Sequence, residues 1–391
     1  MEKKQRGNNK PRYITRLDQI PQLSARECRD LSSVFKKYAF RTNDYYLSLI
    51  NWDDPADPIR KIVIPNRREA EAWGRLDASN EKRYTRVPGL EHKYSSVALL
   101  LVNNVCGSYC RFCFRKRLFQ DGNDEVQKDV SRAMDYIRRH REITDVLVTG
   151  GDPLLLSTRR LTEVISNLRK IDHVSVIRIG SKLPAFDPFR ILNDSSLHRM
   201  FRRYSTPDRR IYLMCHFNHP RELTPQAGAC IDAVRRCGVS TVNQTPILAG
   251  INDNPDTLSE LFRKCSAYGV SPYYVFQCRP TAGNRTFAVP LEKSYRLFET
   301  AKMRGSGLAK RARLCLSHES GKIEVAALTS KHVIFKYHRS ADPDLCGRVM
   351  IYRRNPAAYW FDDYEDLIDE YRPACPSVDW MAGRNYLSPF N

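Results

Sequence analysis

No stretch of this 391-residue chain holds the roughly 18 uncharged apolar residues that a membrane-crossing helix needs. The longest candidate is the short run Val97 to Val102, so neither a span nor a membrane partner is expected. The first residues, Met1 to Arg16, are polar and basic and lack the apolar core of a secretory signal, so a cytoplasmic protein is expected. Internal repeats and long low-complexity segments are absent too, and nothing points to a repeat architecture. Acidic side chains are in the minority: 44 Asp and Glu against 64 Lys and Arg leave a net charge of +20. Such an excess suits polyanions, but it is spread along the chain, and only Lys3 to Arg16 reads as a basic arm. A basic protein that binds small anions is expected, and nucleic acid is not the expected partner. Disulfide scaffolding is also excluded, because 12 cysteines in so long a chain do not make the framework of a short secreted domain.

What is present is enough apolar material, 42% of residues, for one large domain with appendages. Residues 1–92 read as a basic tail followed by a helical extension, with a helical piece at Ala25 to Lys37 and no strong strand signal. Over residues 93–310, apolar β-branched runs alternate with amphipathic segments. Strands are expected at Val97–Val102, Asp145–Thr149, Val174–Ile179, Ile211–His216, Thr241–Thr245 and Tyr273–Gln277, with helices such as Val126–Arg141 and Asp256–Tyr268 between them. Parallel strands bury both faces, which accounts for runs this apolar. Residues 311–391 read as a small segment of a few strands, including Lys322 to Tyr337, ending in an acidic surface helix at Asp362 to Glu370. The fold class expected is α/β: a partial (βα)6 TIM-type barrel with a helical N-terminal extension and a small C-terminal α+β segment. Barrel enzymes gather their chemistry at the C-terminal ends of the strands. Here those ends read Asn103-Asn104, Gly150-Gly151-Asp152, Gly180-Ser181-Lys182, His216-Phe217-Asn218-His219, Gln244 and Gln277-Cys278-Arg279.

Nine cysteines are scattered; the other three form Cys106-x3-Cys110-x2-Cys113, just after the first strand of the repeat. Three thiolates on one tight loop suit zinc or an iron–sulfur cluster. A structural zinc normally takes four ligands, and no fourth Cys or His lies at finger spacing. A cluster held by three cysteines keeps one iron open for a substrate.

This loop after a first barrel strand resembles the radical S-adenosylmethionine superfamily. Gly89 to Tyr94, Cys110 to Arg117, Thr149 to Leu155, Arg178 to Pro184, His216 to Pro220, Gly238 to Asp253 and Pro272 to Cys278 together resemble the lysine 2,3-aminomutase family, over about residues 89 to 337. The resemblance implies a [4Fe–4S] cluster on Cys106, Cys110 and Cys113, and S-adenosylmethionine bound by Gly150, Gly151, Asp152, His216 and Gln244. It further implies pyridoxal 5′-phosphate on Lys322, its phosphate held by Lys93 and Tyr94, and a substrate α-carboxylate on Arg115. Lys116 and Arg117 are expected to be exposed or bound to backbone. An amino acid substrate, an electron donor such as flavodoxin or ferredoxin, and a homo-oligomer are implied as partners.

The departures from the family are informative. Where the lysine-specific enzymes place an aspartate after Gln-Cys, this chain has Arg279, which repels an ammonium and suits a substrate with a distal carboxylate. Cys315 falls near the place of a second family aspartate, and Val97 stands where the family has a second phosphate arginine. Cys375 is alone, with Asn254 at its partner's position, so no structural zinc is expected. Two other readings are a radical enzyme that modifies a protein or tRNA, and a zinc-containing nucleic-acid binder.

Overall fold

The computed structural model describes residues 10–373; residues 1–9 of the basic tail and Cys375 lie outside the described residues. One sheet of 13 strands carries the architecture, and its strands lie side by side in the order of the chain. A separate two-stranded piece, β1 (Tyr13–Ile14) with β2 (Thr42–Asn43), belongs to the N-terminal extension.

The main sheet begins with a hairpin that the sequence did not announce, β3 (Thr85–Val87) and β4 (Leu90–Tyr94), turned at Gly89. β4 pairs antiparallel with β5 (Val97–Asn103), the first of the expected strands. Then come β6 (Asp145–Gly150), β7 (Val176–Ser181), β8 (Ile211–Cys215), β9 (Ser240–Ile247), β10 (Ser271–Gln277) and β11 (Arg313–Ser317), each parallel to its predecessor. The helices that return the chain between them include Ser131–Arg139, Thr158–Arg169, Ser195–Tyr204, Pro225–Arg235 and Pro255–Ala267. The first starts later than its hydrophobic pattern suggests, because the Asp129 side chain accepts from the Ser131 amide and caps it there. Their apolar faces bury residues such as Ile137, Ile165, Phe201, Ile231 and Phe262 against the sheet.

Beyond β11 the sheet turns antiparallel through β12 (Gly321–Leu328), β13 (His332–Ser340), β14 (Val349–Arg353) and β15 (Leu367–Tyr371). β15 corrects the expected surface helix at Asp362 to Glu370: only Phe361–Asp363 is helical, as a single 3-10 turn. Two of the acids are paired with the neighbouring segment, with Arg348 Nε 2.8 Å from Glu370 and Arg353 Nε 2.5 Å from Asp366, and such pairing of opposite charges favours the strand. Among the described residues the two edge strands, β3 and β15, do not pair, so the barrel is open. No helix of the described residues is long and apolar enough to cross a membrane.

Candidate active site

The strands of a parallel sheet all end on one side, and the loops there enclose a cavity of about 300 Å³. The cysteine loop forms one wall. Its shape is imposed from outside by the N-terminal extension: Arg111 forms a buried pair with Glu69 (Nη2–Oε2 2.7 Å), its amide donates to Ile62 O (2.8 Å), and the Tyr109 amide donates to Arg41 O (2.9 Å). Cys106, Cys110 and Cys113 all line the cavity, and no disulfide joins them. Burial pushes all three thiols up, Cys110 to about 12, so they would be held as thiolates by a bound cation and not by their own surroundings. Among the described residues the trio of His, Cys, Asp or Glu donors that closes to within 4.8 Å is His92, His140 and Glu142. The three thiols are set wider, which fits a multi-iron cluster better than one ion.

Gly150 and Gly151 let the end of β6 lie directly on the chain that enters this loop. The Gly151 amide donates to Asn103 O (2.5 Å) and the Asp152 amide to Val105 O (2.8 Å). Gly150 has φ +119°, and a Cβ on Gly151 would sit 2.5 Å from Val105 O, against backbone that has nowhere to go. Gly151→Ala should therefore lower stability by about 1–3 kcal/mol and loosen the cysteine loop. Thermal melts and iron retention after anaerobic reconstitution measure this, and an unchanged melt with full iron content would contradict it.

Asp152 lines the cavity, but its carboxylate is already occupied: it accepts from Ser181 Oγ and the Lys182 amide (both 2.9 Å), and from the Leu154 and Leu183 amides (3.1 and 3.2 Å). It caps two turns and ties β6 to β7. Burial still raises it to about 6. His216 and Gln244 meet in a side-chain hydrogen bond on the cavity wall. Burial, with Lys182 and Arg115 nearby, pushes His216 down to about 3, so it is neutral. Lys182, expected at a strand end but given no role by the sequence, underpins this corner. Its ammonium donates to His216 O (2.6 Å) and Asn218 Oδ1 (2.7 Å) and pairs with buried Glu222 (2.5 Å).

Arg115 is in the cavity but is not free. Glu81 takes its guanidinium at 2.8 to 3.2 Å, and Arg117 also pairs with Glu81 at 2.6 Å. This corrects the expectation for Arg117, which is buried and reaches Glu125 as well (2.9 Å). Lys116 does bind backbone, at Arg111 O (2.9 Å), but it is buried. The two arginines hold Glu81 ionised well below the usual carboxylate range, against burial. Beside it Glu91 is raised to about 8 by burial and by Glu81's charge, and its Oε1 has no hydrogen-bond partner among the described residues. Neither acid was legible as a site residue, because nothing in chain spacing links residue 81 or 91 to residue 115.

Also in the cavity wall, the Lys322 amine sits 4.7 Å and 4.5 Å from the centroids of Tyr274 and Phe276. Burial, with Arg279 next among the depressing influences, lowers it to about 7. Lys93, lowered by burial to about 8, donates to His318 O (2.6 Å), and Tyr94 lies beside it. Arg279 stacks on Phe114 with its Cζ 3.6 Å from the ring centroid. Its Nη1 is buried without a partner, so it neither pairs with an internal acid nor leaves the cavity.

An open α/β barrel that brings three cysteines, a glycine-rich turn and a depressed lysine into one cavity has the build of a radical S-adenosylmethionine protein, and residues 100–263 match the Radical SAM superfamily. The chain is 53% identical over 370 residues, 94% of its own length and 99% of the relative's, to a protein of Aquifex aeolicus named "Putative L-lysine 2,3-aminomutase". It is 34% identical over 302 residues (76% of this chain, 71% of the relative) to the L-lysine 2,3-aminomutase of Clostridium subterminale. It is 31% identical over 305 residues (77% and 71%) to the glutamate 2,3-aminomutase of Clostridioides difficile. The chain belongs to the lysine 2,3-aminomutase family of radical S-adenosylmethionine enzymes.

Proposed function

We propose that this enzyme exchanges the amino group between carbons 2 and 3 of an acidic α-amino acid such as glutamate, giving the β-amino acid. The observation that carries the reading is Arg279, a buried guanidinium with an unpaired N–H and no carboxylate partner among the described residues, aimed into the cavity. A buried cation left unpaired is costly, and a ligand carboxylate removes the cost. The relative named as a glutamate 2,3-aminomutase supports the same choice.

The residues present fit the groups the family implies: three wide-set thiols for a cluster, a cavity-facing glycine turn for the cosubstrate, and a low-pKa amine among aromatic rings for pyridoxal phosphate. When bound, the cluster with S-adenosylmethionine supplies a carbon radical for hydrogen abstraction, and pyridoxal phosphate supplies an aldehyde that holds the migrating nitrogen. Lys322 offers the neutral amine such an aldehyde requires. Arg279 draws the side-chain carboxylate to the Phe114 side. Glu81 fixes the Arg115 guanidinium, and Lys182 fixes the strand end that carries His216. The aromatic walls keep water from the reacting carbons.

Anaerobic incubation of reconstituted enzyme with S-adenosylmethionine, reductant, pyridoxal phosphate and a pool of amino acids, followed by chromatographic separation of isomers with mass detection, tests the substrate. Turnover of glutamate to its β-isomer is expected. Efficient conversion of lysine with none of the acidic substrates would overturn the reading. Lys322 sets a pH signature of its own. With its pKa near 7, the free-base fraction rises about tenfold from pH 6 to 8 and then levels, whereas an ordinary lysine at about 10.4 keeps gaining through pH 9. The rate of pyridoxal phosphate capture, followed by absorbance, should show that early plateau.

A further inference from the structure

The cations of the cavity wall divide into two sets. Arg115 is matched by Glu81, Arg178 by Asp145 and Lys182 by Glu222. Arg279 and Arg339, like the amines of Lys93 and Lys322, have no carboxylate partner among the described residues, although all four line the cavity. One unmatched guanidinium suits a substrate carboxylate. The second, half-buried, is open to another anion.

Arg339 lies on β13 directly opposite Lys322 of β12 in the antiparallel register. Opposed residues of neighbouring strands project from the same face, with Cβ atoms about 5 Å apart. The guanidinium therefore stands beside the amine, on the same wall. Its Cζ is 4.6 Å from the centroid of Tyr94, and its Nη2 donates to Ser96 Oγ (3.2 Å). Nε and Nη1 are left without a partner among the described residues. Lys93 approaches the same ring from its own side, its Nζ 5.6 Å from the Tyr94 centroid. Val97, which begins β5 and also lines the cavity, contributes no charge to this wall. Two cations thus converge on Tyr94, a short distance from an amine suited to an aldehyde.

Resting on the reading of Lys322 as the pyridoxal phosphate lysine, we infer that Arg339 binds the phosphate of that cofactor, with Lys93 and the Tyr94 hydroxyl completing the cradle. A phosphate monoester is a dianion, and the second Nη2 hydrogen together with the neighbouring Nε–H or Nη1–H meets two of its oxygens in one plane. The aldehyde end of the same molecule then faces Lys322 from the neighbouring strand, so a single cross-strand pair holds the cofactor at both ends.

The test compares pyridoxal phosphate with pyridoxal, which has the aldehyde but not the phosphate. Dissociation constants are measured by absorbance titration on wild type, R339Q and R339K. R339Q should weaken pyridoxal phosphate about 10- to 100-fold while changing pyridoxal by less than about threefold, and R339K should recover part of the loss. A purely structural role would weaken both ligands equally, and that result overturns the assignment. So does R339Q with unaltered pyridoxal phosphate affinity, or R339Q that loses affinity for the amino acid substrate alone. Wild type that captures neither ligand would instead sink the Lys322 reading beneath it.

Discussion

Cys110→Ala should leave a folded protein with no measurable turnover, a loss of at least about 10⁶-fold, the scale by which enzymes exceed the uncatalysed reaction. Each cysteine of the loop supplies one of the three thiolates on which a cluster would rest; Cys278 also lines the cavity but follows β10 and is not part of that loop. Cys106→Ala and Cys113→Ala should behave alike. The matched control is Cys346, which is exposed and far along the chain, and whose replacement by serine should change nothing. Iron and sulfide content, visible absorption and the paramagnetic signal of the reduced protein separate cluster loss from misfolding. Unchanged iron and normal cleavage of S-adenosylmethionine in Cys110→Ala would remove the basis for the whole scheme.

Arg279→Asp is expected to cost about 10³-fold or more in kcat/KM for an acidic substrate. Truncating one partner of a buried, hydrogen-bonded charge pair costs about 2–5 kcal/mol, and charge reversal adds repulsion to that loss. The stacking of Arg279 on Phe114 makes the replacement a change of cavity chemistry more than of scaffold, since no ion pair among the described residues depends on it. The same substitution should open weak turnover of amino acids with a distal ammonium, which the new carboxylate attracts. Steady-state kinetics with glutamate and lysine on both proteins measure the switch. Equal losses on both substrates would mean that Arg279 supports the cavity without choosing its guest.

The six strands from Val97 to Gln277 were legible because a strand buried on both faces writes its burial as an apolar run. The cysteine triad was legible because its members are neighbours in sequence. The polar support of the site was not. Glu81 reaches Arg115 across 34 residues, Lys182 reaches Glu222 across 40, and Arg339 becomes a neighbour of Lys322 only through the pairing of β12 with β13. Such partners are set by tertiary register and have no periodicity of their own. The acidic run misread as a helix failed for a related reason: the arginines that pair with it, Arg348 and Arg353, flank or end the neighbouring strand β14. The position of Arg115 was anticipated, but not the carboxylate that already occupies it.

The sequential order of the 13 strands bears on how the molecule is made. Each new strand needs only the one synthesised before it, so ordering can proceed along the nascent chain as it leaves the ribosome. The cysteine loop, the glycine turn and His216 are all in place before the ribosome reaches the codon for Lys322. The half that would generate radicals is thus assembled first, and the lysine strand that would restrain the guest molecule arrives last.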